Sequence, residues 1–287
     1  MGLREQALLA FELPSAPQRV DELPAPVYGT EALRVHAPAG RFLLLCAGSG
    51  LTLAFEATLF DLLAEARFPA PRPRRARAGS LIAPLERGSA AACYSWPPGE
   101  ELASASATYP QLLEIGRLLA RLHQLAETHP AAVSDVADAQ ALLGRLPPGP
   151  ERDALAPVLT AGLPSLPSGA VHGGLRPARM LFIGDRCSGV LPSGLACSGP
   201  LVLDVAETAV GWLMVSPKPA AALRAIVSGY QGLRRLHSEE KVNLFKALRY
   251  AAAREGARRA GLGRPAALAA LEAVEALGEP EALAAAG

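Results

Sequence analysis

The sequence predicts an α+β protein built of two unequal halves. Three observations carry that expectation. Residues 28–96 hold short β-type runs around a single helical segment. A Pro-Pro-Gly break follows at residues 97–99. Beyond it, apolar residues recur at helical spacing almost to the end, interrupted by one hairpin near residues 180–190.

The elements follow in order. Residues 1–26 read as irregular, with prolines at 14, 17, 24 and 26. ALRVHAPAGRFLLLCAG reads as two strands around a Pro-Ala-Gly turn. LTLAFEATLFDLLAEARF places Leu51, Phe55, Leu59, Leu62 and Leu63 at helical spacing, and Pro69, Pro71 and Pro73 stop the helix. SLIAPLERGSAAACYSW gives a second strand pair turning at Glu86-Arg87-Gly88. In the larger half, YPQLLEIGRLLARLHQLAE sets Leu112, Ile115, Leu119 and Leu122 on one face, with Pro110 in the first turn. Residues 132–146 and 151–163 are weaker helices, and residues 170–196 read as strand, loop and hairpin. The helical stretches LVLDVAETAVGWLM, PAAALRAIVSGYQGL, SEEKVNLFKALRYAAAREGARR and PAALAALEAVEAL follow. Ser238 with Glu240 and Lys241 marks a helix start. The expected division is residues 1–96 and 97–287, with a hinge near 93–99.

Composition narrows the function. The chain has 287 residues, half of them hydrophobic, and a formal net charge of +1. That charge argues against nucleic acid or an acidic membrane as partner. The densest basic run, PRPRRARAG at residues 71–79, reads as a solvated loop. Cys46, Cys93, Cys187 and Cys197 form no CxxC pair and no zinc spacing, so reduced thiols in a cytoplasmic protein are expected. The apolar region 42–63 is broken by Gly48, Gly50, Glu56 and Asp61, which excludes a membrane span.

The bilobal order, with AVHGGLRPARMLFIGDRCSGVLPSGLA in the second half, resembles the protein-kinase-like fold. More narrowly it resembles the aminoglycoside and choline phosphotransferase superfamily, nearest its type II homoserine kinase branch. LFDLLAEARFPAPRP, LLEIGRLLARLH, LPSGAVHGGLRPARMLFIGDRCSGVL, LVLDVAETAVGWLM and AIVSGYQGLRRLHSEEKVNLFKALRYAA carry the likeness, over roughly residues 28–258. It implies a small β-rich lobe with one helix and a larger, mainly helical lobe. It also implies ATP-dependent phosphoryl transfer, which needs metal ligands, a cation on the phosphates and a carboxylate near the attacking hydroxyl.

At those positions the sequence departs from the family. The catalytic loop of the family reads His-x-Asp-Leu-x-x-x-Asn; here it is His172, Gly173, Gly174, Leu175, Arg176, Pro177, Ala178, Arg179. Gly174 stands at the base aspartate and Arg179 at the metal-binding asparagine. Pro192 stands at the second metal ligand. Leu45 occupies the phosphate-contacting strand position, and the first lysine is Lys218. No metal is therefore expected. Each missing group is worth on the order of 2–4 kcal/mol of transition-state stabilisation. Such terms do not simply add.

The expectation is a catalytically inactive pseudokinase that binds a nucleotide or phosphorylated metabolite, or regulates another protein. ATP or ADP, if bound, is held without magnesium. Its contacts would be the hinge residues Tyr94, Ser95 and Trp96 and the guanidinium groups of Arg176 and Arg179. The plainer reading pairs those arginines with acidic surface residues. His172 and Asp204 are expected to support the loop, and His123 to pack. Asp185 belongs to the hairpin turn, Ser193 to a loop, and Glu56 to an exposed helix face. Two alternatives stand beside this: a ligand-free scaffold for a protein partner, favoured by an occluded hinge pocket, and an active small-molecule kinase using displaced carboxylates such as Glu100, Glu101 or Glu207.

Overall fold

A computed structural model describes residues 1–287 except 1, 14, 24–29, 49, 103–106, 130–132, 134–137 and 264–265. Pro14, Pro24 and Pro26, the middle residue of the Gly-Ser-Gly turn, and part of the stretch 132–146 lie outside the described residues. The smaller half holds α1 (Leu3–Ala10), β1 (Arg19–Leu23), β2 (Thr30–Ala37), β3 (Gly40–Ala47), α2 (Gly50–Glu65), β4 (Pro73–Arg74), β5 (Ile82–Pro84) and β6 (Ala90–Ser95). Its antiparallel sheet runs β1-β2-β3-β6-β4, with β5 also on β6. The register pairs Leu43 with Tyr94 and Leu45 with Ala92.

Strand alternation explains how this sheet is buried on both faces. Leu43, Leu45, Ala92, Tyr94 and Trp96 point to one side, against Leu53 and Phe60 of α2. Phe42, Leu44, Cys46, Ala91 and Cys93 point to the other, against Ala7 and Phe11. α1 is thus a correction to the sequence reading: the opening residues are not all irregular, and the small half has two helices rather than one. An eight-residue helix with a mostly exposed surface shows little period, and its burial comes from the sheet beneath it. Burial pushes the Cys46 and Cys93 thiols, and that of Cys187, up to about 12.

The larger half opens with β7 (Glu100–Glu101) and α3 (Tyr109–Leu125), followed by α4 (Ala139–Arg145) and α5 (Pro150–Ala161). Then come β8 (Ser168–Val171), β9 (Met180–Ile183), β10 (Arg186–Val190) and β11 (Cys197–Pro200). The helices α6 (Leu201–Leu213), α7 (Pro219–Gln231), α8 (Ser238–Val242), α9 (Leu244–Gly261) and α10 (Ala269–Ala286) complete it. The late helix expected to run unbroken from Ser238 is divided at Asn243. Its cap is His237, whose N–H donates to Glu240 at 2.8 Å. Thr108 and Gln111 cap α3 reciprocally, at 3.3 and 2.8 Å. The main core joins α2, α3, α6, α7 and α9. Among the described residues no helix is long and apolar enough to cross a membrane.

α2 belongs to both cores. Phe55, Leu59 and Leu63 enter the large one, while Leu53 and Phe60 face the sheet. Leu181 and Leu191 of the larger half join the sheet-side cluster. The linker lies directly on the hairpin: Ser188 donates to Pro98 O at 2.6 Å, and a Cβ on Gly189 would come within 2.7 Å of Pro97.

Candidate functional site

The start of the loop, residues 172–174, is held by Asp204, on the buried face of α6. One carboxylate oxygen accepts from Gly173 N–H (3.0 Å) and Gly174 N–H (2.7 Å). The other accepts from His172 N–H (2.8 Å) and His123 Nε2 (3.0 Å). His123 is held in turn by Tyr230 OH at 2.8 Å from Nδ1. Burial alone would raise the Asp204 pKa, but the bonds from His123 and the loop amides outweigh it and hold it below the ordinary carboxylate value. His123, expected to pack, also orients Asp204 in the structure. The Leu-His pair at the end of α3 was the available signal.

His172 is fully buried, with Nδ1 3.1 Å from Gly174 O and Nε2 3.0 Å from Leu191 O. It therefore joins the loop to the segment after the hairpin. The helix glutamate reaches the same segment. Glu56 is not an exposed helix charge as expected: it is fully buried. Its Oε1 accepts from Ser193 N–H (2.9 Å) and Gly194 N–H (2.8 Å), with the Ser193 hydroxyl at 3.2 Å. The apolar period of α2 could not show this, because the partner is a backbone turn more than a hundred residues away. Ser193 donates its hydroxyl hydrogen to His172 O at 2.5 Å, so it serves the turn rather than acting as a nucleophile.

Burial raises the Glu56 pKa despite those donors. The folded state then binds more protons than the unfolded one between the ordinary and the raised value. Stability falls as pH rises through that window. Glu56→Gln keeps an oxygen for the turn and removes the buried charge. It is expected to melt at or above the parent temperature above the ordinary carboxylate range and to flatten the decline in stability with rising pH. Glu56→Ala, which orphans two buried amides, is expected to lose about 2–3 kcal/mol in a denaturant titration.

The degenerate positions sit as follows. Leu45 is fully buried in the apolar cluster with Leu43, Phe60, Tyr94, Leu181 and Leu191. Pro192 is buried between His172's partner Leu191 and Glu56's partner Ser193. Gly174 has φ +94°, and a Cβ there would come within 3.1 Å of the Glu207 backbone; Gly173 has φ +84°, with 2.5 Å to Leu195 Cβ. The loop is thus held in a conformation that suits glycine at both places.

The two arginines part company. Arg176 points away from the lobe interface into a buried ion-pair group on α9: it bonds Glu255, while Glu207 takes Arg254 at 3.0 Å and Arg258 at 3.4 Å. Burial would raise the Glu255 pKa, but Arg176 and Arg258 hold it at about 2. The expectation that Arg176 contacts phosphate is therefore corrected; its guanidinium is committed to Glu255. Arg179 is buried, which lowers its basicity, and the charges of Glu56 and Glu101 oppose that.

The hinge is corrected as well. Ser95 N–H donates to Arg72 O (3.3 Å) and Trp96 N–H to Arg41 O (2.8 Å), while Pro97 and Pro98 have no N–H. From Ser95 to Pro98 no backbone donor is left for an adenine edge. The Tyr94 ring is turned into the core against Phe60, 5.7 Å between centroids. Trp96 lies under the Arg34 guanidinium at 4.2 Å, and Arg34 bonds Glu101 across the cleft mouth at 2.8 Å.

The displaced carboxylates do not assemble a substitute. Glu100 is exposed, Glu101 is held by Arg34, and Glu207 by α9. Asp185 is at the hairpin tip, bonded by Thr108 at 3.1 Å. Among the described residues no three His, Cys, Asp or Glu side chains converge as metal ligands. With Gly174, Arg179 and Pro192 at the positions where the family pattern puts its base and metal ligands, no side-chain oxygen is offered there to a magnesium-nucleotide. A cavity of about 270 Å³ does remain on the other side of the loop, lined by Asp138, Gly173, Leu203, Glu207, Tyr250 and Arg254 among others.

Comparison with known proteins agrees with this architecture. The sequence pattern of the phosphotransferase enzyme family matches residues 30–239. The homoserine kinase of Rhizobium meliloti is 30% identical over 206 residues, covering 66% of this chain and 61% of that protein. The chain thus spans about three fifths of the length of that relative. The homoserine kinase of Xanthobacter autotrophicus is 30% identical over 223 residues, covering 70% and 67%. Among solved structures, amicoumacin kinase hAmiN in complex with AMP-PNP, Ca2+ and Ami superposes with a TM-score of 0.73 at 14% identity, over 96% of this chain and 91% of that one. A microcompartment-associated aminopropanol kinase gives 0.66 at 16%, over 99% and 98%. These two show the shared fold. With a two-lobed kinase-like architecture and a family match over most of its length, this chain belongs to the phosphotransferase enzyme family, with homoserine kinases among its relatives.

Proposed function

We propose that this chain is a pseudokinase: a phosphotransferase-family protein that binds or regulates rather than transferring phosphate. The observation that carries this is the loop at Gly173-Gly174. The base position is a glycine with positive φ, and a Cβ there would come within 3.1 Å of the Glu207 backbone, so an aspartate placed there would be strained. The lost metal ligands at Arg179 and Pro192 and the buried Leu45 point the same way. Of the two binding readings, the hinge favours the one without nucleotide, because its amides are bonded or absent.

A second reading has its own support. The cavity behind the loop keeps Glu207, Tyr250 and Arg254 on its wall, beside the bonded Asp204. It suits a small polar metabolite, and the named relatives suggest a hydroxylated amine such as homoserine or aminopropanol.

Titration calorimetry and thermal shift with ATP and ADP, each with magnesium and with EDTA, test the first reading. No saturable heat and no shift are expected, and no ADP release with homoserine or aminopropanol. Gly174→Asp is expected to lower the melting temperature without restoring turnover. Magnesium-dependent binding, or phosphorylated product from either protein, would falsify the proposal. A shift with homoserine alone, without product, supports the second reading.

A further inference from the structure

At the hinge end of the cleft, Arg34 reaches from the smaller half to the larger. It stands in β2 opposite Leu43 of β3, on the face that carries Ala32, Leu43 and Leu45 toward Leu181 and Trp96. Its guanidinium lies over the Trp96 ring at 4.2 Å, with that of Arg41 at 5.8 Å. It bonds Glu101 of β7 at 2.8 Å. β7 is itself paired to the hairpin, Glu101 with Leu181, so the acceptor belongs to the larger half. The ion pairs of Arg4 with Glu22 and Glu31, and of Arg19 with Asp21, stay within the smaller half.

Two observations make this contact a poor static bridge. Closing it leaves donors without acceptors: Arg34 Nε and Trp96 Nε1 are both shielded from water and have no hydrogen-bond partner. A buried donor with no acceptor carries a penalty comparable with what one such contact returns. The pair is also partly open to solvent, 24% at Arg34 and 40% at Glu101, where ion pairs are weak. The second observation is another carboxylate on the same sheet face. Asp21 of β1 is the direct cross-strand neighbour of Arg34. Side chains opposed in this way share a face, with about 5 Å between Cβ atoms. Asp21 is held by Arg19 and by His36 Nε2 at 2.9 Å. Arg34 thus stands between two carboxylates, one on each half.

We propose that Arg34 is the bolt of a reversible latch between the halves. Bonded to Glu101, it ties the sheet to the hairpin and covers Trp96. Turned to Asp21, it releases that end of the cleft, gives Arg34 Nε and Trp96 Nε1 to water, and uncovers the indole ring. The α2 end stays fixed, because Phe55, Leu59 and Leu63 are built into the large core and Glu56 holds Ser193 and Gly194. The motion is a rocking of β1, β2 and β3 about α2, with two discrete arrangements. Which carboxylate Arg34 holds sets access to the cleft. The latch is independent of whether the cleft binds nucleotide.

Acrylamide quenching of tryptophan emission in the full chain tests it. The chain has two tryptophans. Trp212 is 1% exposed, with its N–H on Leu175 O at 2.7 Å, and supplies a constant background. Trp96→Phe is expected to remove the variable part. Glu101→Gln opens the latch and is expected to raise the quenching constant about twofold, the population change that an ion pair of this exposure supports. High salt should do the same in the parent and add nothing in Glu101→Gln. Asp21→Asn removes the alternative partner and is expected to lower quenching below the parent. A static bridge predicts no effect of Asp21→Asn, and that result overturns the proposal. So does unchanged quenching in Glu101→Gln, or a rise in both variants. The salt arm needs no substitution: parent emission whose quenching is indifferent to salt also overturns the latch.

Discussion

Replacing Asp204 with alanine is expected to cost about 3–5 kcal/mol, the range for removing one partner of a buried charged network. The reason is the number of donors left behind. His172, Gly173 and Gly174 N–H groups lose their acceptor, and so does His123 Nε2. All lie where water does not reach, since His172 and His123 are buried and the glycines pack on Leu195 and Glu207. Asp204→Asn is expected to cost less. Its oxygen can serve Gly173 and Gly174, and His123 can turn its tautomer toward the new amide, leaving mainly the His172 amide unserved. Urea titration of the two variants against the parent checks the order. Equal stability of all three would show that the loop does not depend on this carboxylate.

The same residue sets a pH dependence. Its folded pKa is depressed, so its stabilising contribution is present above the ordinary carboxylate value and is lost as pH falls through the depressed one. Glu255 behaves alike, with its folded value near 2. Acid unfolding should therefore be shallower in Asp204→Asn than in the parent. Glu56 acts in the opposite sense, weakening the fold as pH rises. The two carboxylates brace neighbouring turns, and stability is expected to peak between their windows.

What the sequence made legible follows from range. The faces of α2 and α3, the strand pairs at 30–47 and 82–95, and the hairpin were readable because their signals are local periods and turns. The losses at Leu45, Gly174, Arg179 and Pro192 were readable because a family pattern fixes which positions matter. Three features were not. Glu56 looked like a surface charge because its partner is a backbone turn, and backbone amides leave no mark in a sequence. Arg176 and Arg179 are equivalent in sequence, yet the short helical turn at Pro177–Arg179 sends one toward α9 and leaves the other buried within the field of Glu56 and Glu101. The hinge looked permissive because any residue has a backbone; that its amides are spent is a fact of strand pairing with Arg41 and Arg72, compounded by Pro97 and Pro98.

Gly229→Ala is expected to be among the most damaging single methyl additions in this protein. α3 and α7 touch backbone to backbone at Gly116 and Gly229. A Cβ on Gly229 would stand 2.1 Å from Leu113 O, and one on Gly116 would stand 2.0 Å from Ile226 O. Neither obstacle is a flexible side chain, so the helices must separate. Separation opens space around Ile115, Leu119 and Ile226 and pulls Tyr230 from His123, which loosens the support of Asp204. Overpacking costs of about 1–3 kcal/mol are usual, and rigid backbone on both sides places this case at or above the upper end. The two glycines share one contact, so Gly116→Ala with Gly229→Ala should cost less than the sum of the singles. Gly144→Ala is the control: it lies in α4 with nothing within 4 Å of a new Cβ. It should raise stability by up to about 1 kcal/mol through helix propensity. Thermal melts of the four variants decide the matter. If Gly229→Ala melts with the parent, the close approach of α3 and α7 is wrong, and with it the path by which Tyr230 steadies the loop.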